Sequence, residues 1–272
     1  MSVNLPLIIE PSVLKDHLHS DDIVIVDLSN PATYVQYHIP GAVFLNYEWI
    51  VRVEQPRMGL LPTEEQLNNV FGSLGLTKDK HVVVYDDEGG GRACRLLWTL
   101  EIAGHTNYSI LNGGLQGWSN HGNEISSEIA YPTPCDFKAE MNYEPVATRQ
   151  FILDHLSDDN VAMFDTRSPA EYNGEKVFAQ RGGHIPGAVN MNWTEAMDIE
   201  NEKCFKPEGQ LRKMLESKGI TPEKTIVVYC QTHHRSAHTF MMLKSLGYEK
   251  IKGYPGSWSD WGNEPNTPIE KD

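Results

Sequence analysis

Residues 26–32 read V-D-L-S-N-P-A and residues 164–170 read F-D-T-R-S-P-A, and after each stretch comes the hexapeptide H-I-P-G-A-V, at residues 38–43 and 184–189. The match continues with V-V-V-Y at residues 82–85 and I-V-V-Y at residues 226–229. A repeat period of about 140 residues is longer than the unit of a solenoid. The chain is therefore predicted to be a duplicated domain.

The duplication divides the 272 residues into a first domain over residues 1–124 and a second domain over residues 149–272. Residues 125–148, which lie between them, contain Ser126, Ser127, Pro132, Pro134 and Pro145. This proline-punctuated polar composition is typical of a linker. Each predicted domain is long enough to bury a core of its own.

Composition excludes several classes of function. The formal charge of -14 repels the phosphate backbone of nucleic acids, so nucleic-acid binding is not expected. The four cysteines form no C-x-x-C pair, which favours a reducing compartment. The N-terminal apolar stretch Leu5–Ile9 is interrupted by Pro6 and is too short to span a membrane. We expect a cytoplasmic protein that does not bind membranes.

The pattern of apolar residues predicts an α/β fold. Four short β-branched runs have the composition of strands buried on both faces of a parallel sheet: Ile23–Leu28, Val82–Tyr85, Val161–Phe164 and Ile226–Tyr229. Amphipathic helices are predicted between them. One of these begins with a capping box at Thr63–Gln66, a reciprocal pair of hydrogen bonds at a helix N-terminus.

The two loops that follow Tyr85 and Tyr229 differ in chemistry. Each joins a strand to a helix, and the first N–H groups of such a helix form an anion site. Residues 230–236 read C-Q-T-H-H-R-S, whereas residues 86–92 read D-D-E-G-G-G-R. A thiolate at Cys230 would be stabilised by convergent N–H groups and by Arg235, so Cys230 is the candidate nucleophile. We expect the other three cysteines, Cys94, Cys135 and Cys204, to be inert.

These features resemble the rhodanese superfamily, in particular the two-domain sulfurtransferases with a silent N-terminal repeat and a catalytic C-terminal repeat. The resemblance rests on an aromatic residue followed by H-I-P-G-A, as in Tyr34 to Ala42, and on the closing stretch G-Y-P-G-S-W-S-D-W at residues 253–261. It implies two tandem rhodanese-like domains, each a parallel β-sheet flanked by α-helices.

The resemblance also implies the chemistry. Cys230 would accept a sulfane sulfur from a small-molecule donor to become a persulfide and would pass it to a thiophilic acceptor, such as cyanide, a thiol or a protein thiol. Such covalent catalysis needs no metal and no organic cofactor. The donor would bind at the rest of the loop, with Arg235 as its main cation: Gln231, Thr232, His233, His234, Arg235 and Ser236. His38 and His184 occur in both repeats and are expected to be structural.

The loop departs from the family patterns in ways that bear on the donor. It is neither the C-R-K-G-V-T of vertebrate thiosulfate-specific members nor the C-G-[ST]-G-V-T of mercaptopyruvate-specific ones. Glu171 stands where both subfamilies place an arginine, and Thr232 stands where the former place a lysine. Loss of that arginine favours thiosulfate over 3-mercaptopyruvate as the donor.

Two other functions are alternatives to sulfur transfer from thiosulfate. A persulfide carrier that serves a dedicated protein partner stays open as an alternative. A phosphatase of the H-C-x5-R type is disfavoured, because Tyr229 precedes the cysteine and only four residues separate Cys230 from Arg235.

Overall fold

A computed structural model of the chain describes residues 3–271, which form two compact units. The first unit contains the residues up to Ile50, together with Pro62–Asn142 and Asp198–Phe205; the second contains Val51–Leu61, Tyr143–Met197 and the residues from Lys206 onward. The boundaries predicted from the sequence divide the chain into consecutive domains. Each compact unit also includes one short segment from the other sequence repeat: Asp198–Phe205 belongs to the first unit and Val51–Leu61 to the second.

The secondary structure alternates strands and helices along the described residues. The strands are β1 (Ile8–Ile9), β2 (Ile23–Asp27), β3 (Val43–Phe44), β4 (Arg52–Glu54), β5 (Arg57–Leu60), β6 (His81–Tyr85), β7 (Tyr108–Leu111), β8 (Val161–Asp165), β9 (Val189–Asn190), β10 (Met197–Asp198), β11 (Cys204–Phe205), β12 (Thr225–Tyr229) and β13 (Ile251–Gly253). The α-helices are α1 (Pro11–His17), α2 (Pro31–Gln36), α3 (Glu64–Ser73), α4 (Gly91–Ile102), α5 (Gly114–Asn120), α6 (Arg149–Asp154), α7 (Pro169–Tyr172), α8 (Glu208–Glu216), α9 (Arg235–Ser245) and α10 (Ser257–Trp261). Tyr47–Ile50 and Trp193–Ala196 form short 3₁₀ helices. Within the described residues, every helix is too short or too polar to traverse a bilayer.

The first unit is built on a parallel sheet of five strands in the order β1-β7-β6-β2-β3. All five residues of β6 are buried, as expected for a strand covered on both faces. The predicted capping box is present at the start of α3, where Thr63 Oγ1 accepts the Gln66 N–H and Gln66 Oε1 accepts the Thr63 N–H. The α/β prediction is thus confirmed in this half.

The predicted linker packs along the first unit over most of its length. Ser126 pairs with His38 through both backbone groups, and the Cys135 N–H donates to the Gly72 carbonyl at 2.9 Å. The rings of Phe137 and Phe71 meet edge to face at 5.3 Å. These contacts satisfy backbone polar groups that an isolated linker would leave to water.

The second unit is built on a parallel sheet of four strands in the order β13-β12-β8-β9. The central strand β12 pairs with β8 so that Tyr229 lies beside Asp165 at the carboxyl ends of the two strands. Ligands of open parallel sheets bind beyond these ends. The loop that starts at Cys230 therefore lies at the sheet edge where a ligand site is expected.

The H-I-P-G-A motif makes the same contacts to the sheet in each unit. In the second unit the Ile185 N–H donates to Tyr229 Oη at 3.1 Å, and His184 stacks on Tyr172 with ring centroids 3.7 Å apart. The first unit repeats this arrangement with Ile39, Tyr85, His38 and Tyr34. Both histidines are buried and bonded to backbone carbonyls, which agrees with the structural role predicted for them.

A buried ion pair supports the tip of β8. The Arg167 guanidinium donates two hydrogen bonds to Asp165 Oδ2, at 2.5 and 3.0 Å, and a third to the Gly183 carbonyl at 2.7 Å. It also lies over the Trp258 ring, 4.4 Å from the centroid. The side chains of the pair are only 1% and 0% exposed. The pair thus links β8 to the segment that carries α10.

We predict that Arg167→Met destabilises the protein by about 3–5 kcal/mol, because it leaves the Asp165 carboxylate buried without its cation. The control is Lys138→Met, which removes an exposed ion pair with Asp136 and should cost about 0–1 kcal/mol. Urea unfolding of both variants measures the difference. Equal losses in the two variants would contradict the importance assigned to the buried pair.

Candidate active site

Cys230 directly follows β12, and the loop of residues 230–234 connects that strand to α9. The cysteine side chain is fully buried, so its sulfur interacts with protein groups more strongly than it would in water. All six loop residues predicted from the sequence, from Gln231 to Ser236, lie in this connection or in the first turn of α9. The structure brings them together around the thiol because they are contiguous in the chain.

The environment of the Cys230 sulfur favours the thiolate. Burial by itself raises the pKa of this thiol, but the positive charge of Arg235 opposes burial, as do hydrogen bonds from the Ser236 hydroxyl and from the N–H groups of Ser236 and Thr232. Together they lower the pKa of Cys230 from 9.0 to about 7. A substantial fraction of the thiol is therefore ionised at neutral pH, as a nucleophilic cysteine requires.

The other three cysteines have the opposite character. Burial raises the pKa of Cys94 well above its ordinary value, with a further contribution from the charge of Asp86. Burial and nearby acidic groups raise the pKa of Cys204 to about 11, and burial also raises the pKa of Cys135. None of the four is in a disulfide. Among them, Cys230 is the one with a lowered pKa.

Arg235 is paired with a carboxylate. Its Nη1 and Nη2 donate to Oε2 and Oε1 of Glu171, each at 2.8 Å. Burial tends to raise the pKa of Glu171, but the Arg235 hydrogen bond and charge, together with Ser168, hold it at about 2. Arg235 also hydrogen-bonds to the Cys230 sulfur, so the guanidinium lies between a carboxylate and the thiol.

This pairing bears on the role predicted for Arg235. The sequence predicts this residue as the main cation for an anionic donor, but an ionised carboxylate neutralises much of its charge towards solvent. The role of Arg235 towards a donor stays a prediction. In the sequence, Glu171 stands out only because the family resemblance places an arginine at this position.

The backbone of the loop is held from α10. Ser257 Oγ accepts the N–H groups of Cys230 and His233, at 3.2 and 3.1 Å, and donates to the Tyr254 carbonyl at 2.8 Å. The Trp258 N–H donates to the Cys230 carbonyl at 3.0 Å. Ser257 carries no signal of its own in the sequence, although it lies in the closing stretch that carries the family resemblance. This serine has a positive φ of 48°, and the three hydrogen bonds of its hydroxyl stabilise that strained conformation.

The histidines of the loop occupy different environments. His233 is fully buried, and its Nδ1 lies 2.8 Å from Ser236 Oγ, so it orients the hydroxyl that bonds the Cys230 sulfur. His234 is partly exposed, with its ring 5.9 Å from that of Trp193. The Gln231 side chain donates to the Phe178 carbonyl at 3.3 Å. His234 and Gln231 are both partly exposed, and their contact with a donor stays a prediction.

The corresponding loop of the first unit holds an anion of its own. Asp86 Oδ1 accepts the N–H groups of Glu88, Gly89 and Gly90 at 3.0, 3.0 and 2.8 Å. Asp86 Oδ2 accepts those of Arg92 and Ala93, both at 3.0 Å. Five backbone donors thus converge on one carboxylate. Asp87 and Glu88 lie beside Arg92, with nitrogen-to-oxygen distances of 3.8 and 3.4 Å.

In the part of the chain that the structure describes, no group of three or more His, Cys, Asp or Glu side chains is arranged to hold a metal ion.

Comparison with known proteins identifies the family. The family model for the rhodanese-like domain matches residues 10–121 and 148–264. The chain is 45% identical over 267 residues to a thiosulfate sulfurtransferase of Azotobacter vinelandii and 42% identical over 267 residues to one of Pseudomonas aeruginosa, covering 98% of this chain and 98% of each relative. The crystal structure of SseA from Escherichia coli, described as having the rhodanese fold of 3-mercaptopyruvate sulfotransferases, matches with a TM-score of 0.84 and 29% identity over 93% of this chain and 99% of SseA. The chain belongs to the rhodanese family and carries two rhodanese-like domains in tandem.

Proposed function

We propose that this protein is a thiosulfate sulfurtransferase and that Cys230 carries the transferred sulfur as a persulfide. The observation that carries the proposal is the position of the Cys230 thiol, which lies at the carboxyl end of β12 beside Arg235 and the N-terminus of α9. The similarity to two thiosulfate sulfurtransferases along 98% of the chain supports the same reaction.

The reaction would proceed in two half-reactions. The Cys230 thiolate attacks the sulfane sulfur of thiosulfate; a new S–S bond forms, the S–S bond of thiosulfate breaks, and sulfite leaves with the electron pair. An acceptor such as cyanide then attacks the outer sulfur of the persulfide, and the Cys230 thiolate leaves. The negative charge returns to the Cys230 sulfur at the end of each cycle, so no proton transfer is required.

Several groups of the loop would stabilise that negative charge together. The N–H groups of Thr232 and Ser236 and the Ser236 hydroxyl donate to the sulfur, and Arg235 supplies the nearby positive charge. Preorganised donors of this kind stabilise an anion without reorganising during the reaction. His233 would act through Ser236, whereas Gln231 and His234 would contact the donor at the outer side of the loop.

The first unit is proposed to be catalytically silent. Asp86 offers a carboxylate where the second unit has a thiol, and that carboxylate already accepts five backbone N–H groups. A carboxylate cannot carry a sulfane sulfur, and it fills the donors that a thiosulfate anion would need.

The donor preference follows from Glu171. Glu171 stands where the family resemblance places the arginine that would bind the carboxylate of 3-mercaptopyruvate, so that contact is missing. Thiosulfate is therefore the proposed donor, and 3-mercaptopyruvate, named for the SseA relative, is the alternative. The other alternative is a persulfide carrier that serves a protein partner. An assay of thiosulfate and cyanide turnover distinguishes it from an enzyme, because a carrier would load sulfur without turnover.

Location and partners are part of the proposal. Four unpaired cysteines are consistent with the reducing cytoplasm that the composition predicts. The proposed partners are a small-molecule sulfur donor and a thiophilic acceptor, which includes the thiol of another protein.

We predict that Cys230→Ser abolishes formation of thiocyanate from thiosulfate and cyanide, because serine supplies no thiolate. Cys94→Ser is the matched control and should keep most of the activity, since Cys94 is buried with a raised pKa in the first unit. Substantial turnover by Cys230→Ser would contradict the proposed mechanism.

We predict that Arg235→Leu raises the pKa of Cys230 above about 7, because it removes a cation and leaves the buried Glu171 carboxylate without its partner. The rate of alkylation of Cys230 measured against pH reports this pKa, since only the thiolate reacts. The double variant Arg235→Leu/Glu171→Leu removes both charges and should show a smaller rise. An unchanged inflection in the single variant would show that Arg235 does not stabilise the thiolate.

A further inference from the structure

The second unit includes a hairpin that lies within the first sequence repeat. Residues 51–61 belong to this unit and contain the antiparallel strands β4 and β5, paired through Arg52 with Leu60 and through Glu54 with Arg57. The catalytic unit is therefore not built from the second repeat alone.

The hairpin is connected to the catalytic loop through Ser259 of α10. Ser259 Oγ accepts the Met58 N–H at 2.9 Å and lies 3.2 Å from the Met58 carbonyl. The Ser259 N–H donates to the Gln231 carbonyl at 3.0 Å. One serine thus joins the hairpin to the residue that follows Cys230.

Gly59 of β5 approaches the same loop directly. A Cβ built on Gly59 would lie 2.0 Å from the carbonyl oxygen of Thr232, 2.7 Å from its carbonyl carbon and 3.0 Å from its Cα. All three atoms belong to the backbone, so no side-chain rotation could relieve the clash. Any residue other than glycine must push the hairpin and the loop apart.

Thr232 is also one of the residues whose backbone N–H donates to the Cys230 sulfur. Its carbonyl faces Gly59, so displacement of this residue by a side chain at position 59 would displace that donor as well. The close approach at Gly59 therefore bears on the geometry around the thiolate.

We propose that Gly59 is a positioning residue for sulfur transfer: the hairpin of residues 51–61 holds Thr232 so that its N–H points at the Cys230 sulfur. The first repeat, which lacks a cysteine in its own loop, would in this way contribute to the reaction of the second. This inference rests on the proposed function of Cys230.

The corresponding segment of the second repeat provides a contrast. Residues 198–205 belong to the first unit, where the Lys203 ammonium group donates to the Glu88 carbonyl at 3.3 Å. That contact to the silent loop is made by a flexible exposed side chain. In the second unit the contact is made between backbones, as positioning of a reactive group requires.

The test is Gly59→Ala. Complete loss of one hydrogen-bond donor to an anion in an active site lowers kcat by about 100-fold to 1000-fold. In Gly59→Ala the donor is displaced and not removed, so we expect kcat to fall by about 10-fold or more. The pH at which alkylation of Cys230 is half-maximal should rise above the wild-type value, while KM for thiosulfate changes less than kcat. A merely structural role for Gly59 would leave the alkylation profile unchanged.

Two variants separate the clash from backbone strain. Gly59 has a φ of +74°, and Gly219 in the same unit has a φ of +70° but nothing within 4 Å of an added Cβ, so Gly219→Ala carries the strain without the clash. Its kcat and alkylation profile should match the wild type. Gly59→Asn has a side chain that tolerates positive φ and keeps the Cβ, so it should behave like Gly59→Ala. Wild-type behaviour of Gly59→Asn would overturn the proposal.

If Gly59→Ala does not fold, Ser259→Ala gives a milder test. It removes the hydroxyl that joins α10 to Met58 and should raise the half-maximal pH of Cys230 alkylation by a smaller amount; an unchanged profile would overturn the proposal. The alkylation profile does not depend on turnover. If the wild type transfers no sulfur at all, the proposed function fails, whereas the effect of Gly59 on the Cys230 thiolate is still measured.

Discussion

The convergence of backbone N–H groups on a single buried anion at the end of the central strand is the interaction on which the rest of the structure depends. In the first unit that anion is the Asp86 carboxylate, with five N–H donors. In the second unit it is the Cys230 thiolate, with donors from Thr232 and Ser236. A parallel sheet followed directly by a helix supplies such donors because the first N–H groups of the helix have no partner within it. Duplication of the fold duplicated the donors, and the residue at the strand tip decides whether they stabilise a reactive group.

The side chains around Cys230 set how strongly its anion is stabilised. A buried thiol surrounded by apolar groups keeps its proton, as Cys94 does. Arg235 and the hydroxyl of Ser236 reverse that tendency at Cys230, while Glu171 balances the charge of Arg235. A balanced pair is consistent with the reaction, because the thiolate must be stable enough to form and must still be able to attack the donor. The Cys230 thiolate is thus stabilised by backbone donors and by an arginine whose charge is partly offset by Glu171.

The repeated elements of the fold were predictable from the sequence, and the contacts between distant segments were not. The strand runs, the capping box at Thr63 and the difference between Cys230 and Asp86 are local patterns whose physical consequences follow from a few neighbouring residues. The pairing of Glu171 in α7 with Arg235 in α9 joins residues that are 64 positions apart, so only the folded structure reveals it. Gly59 had no signal at all: a glycine in a hairpin is unremarkable until the carbonyl of Thr232 is found against it. The exchange of residues 51–61 and 198–205 between the units also has no counterpart in sequence periodicity.

The central claim is that Cys230 carries a sulfane sulfur, and the mass of the intact protein tests it most directly. The reduced wild-type protein is incubated with thiosulfate, its mass is measured, and the modified residue is located by peptide mapping. The account predicts the gain of one sulfur atom at Cys230 and its removal by cyanide. An unchanged mass, with Cys230 shown to be reduced and reactive towards an alkylating agent, would contradict the account.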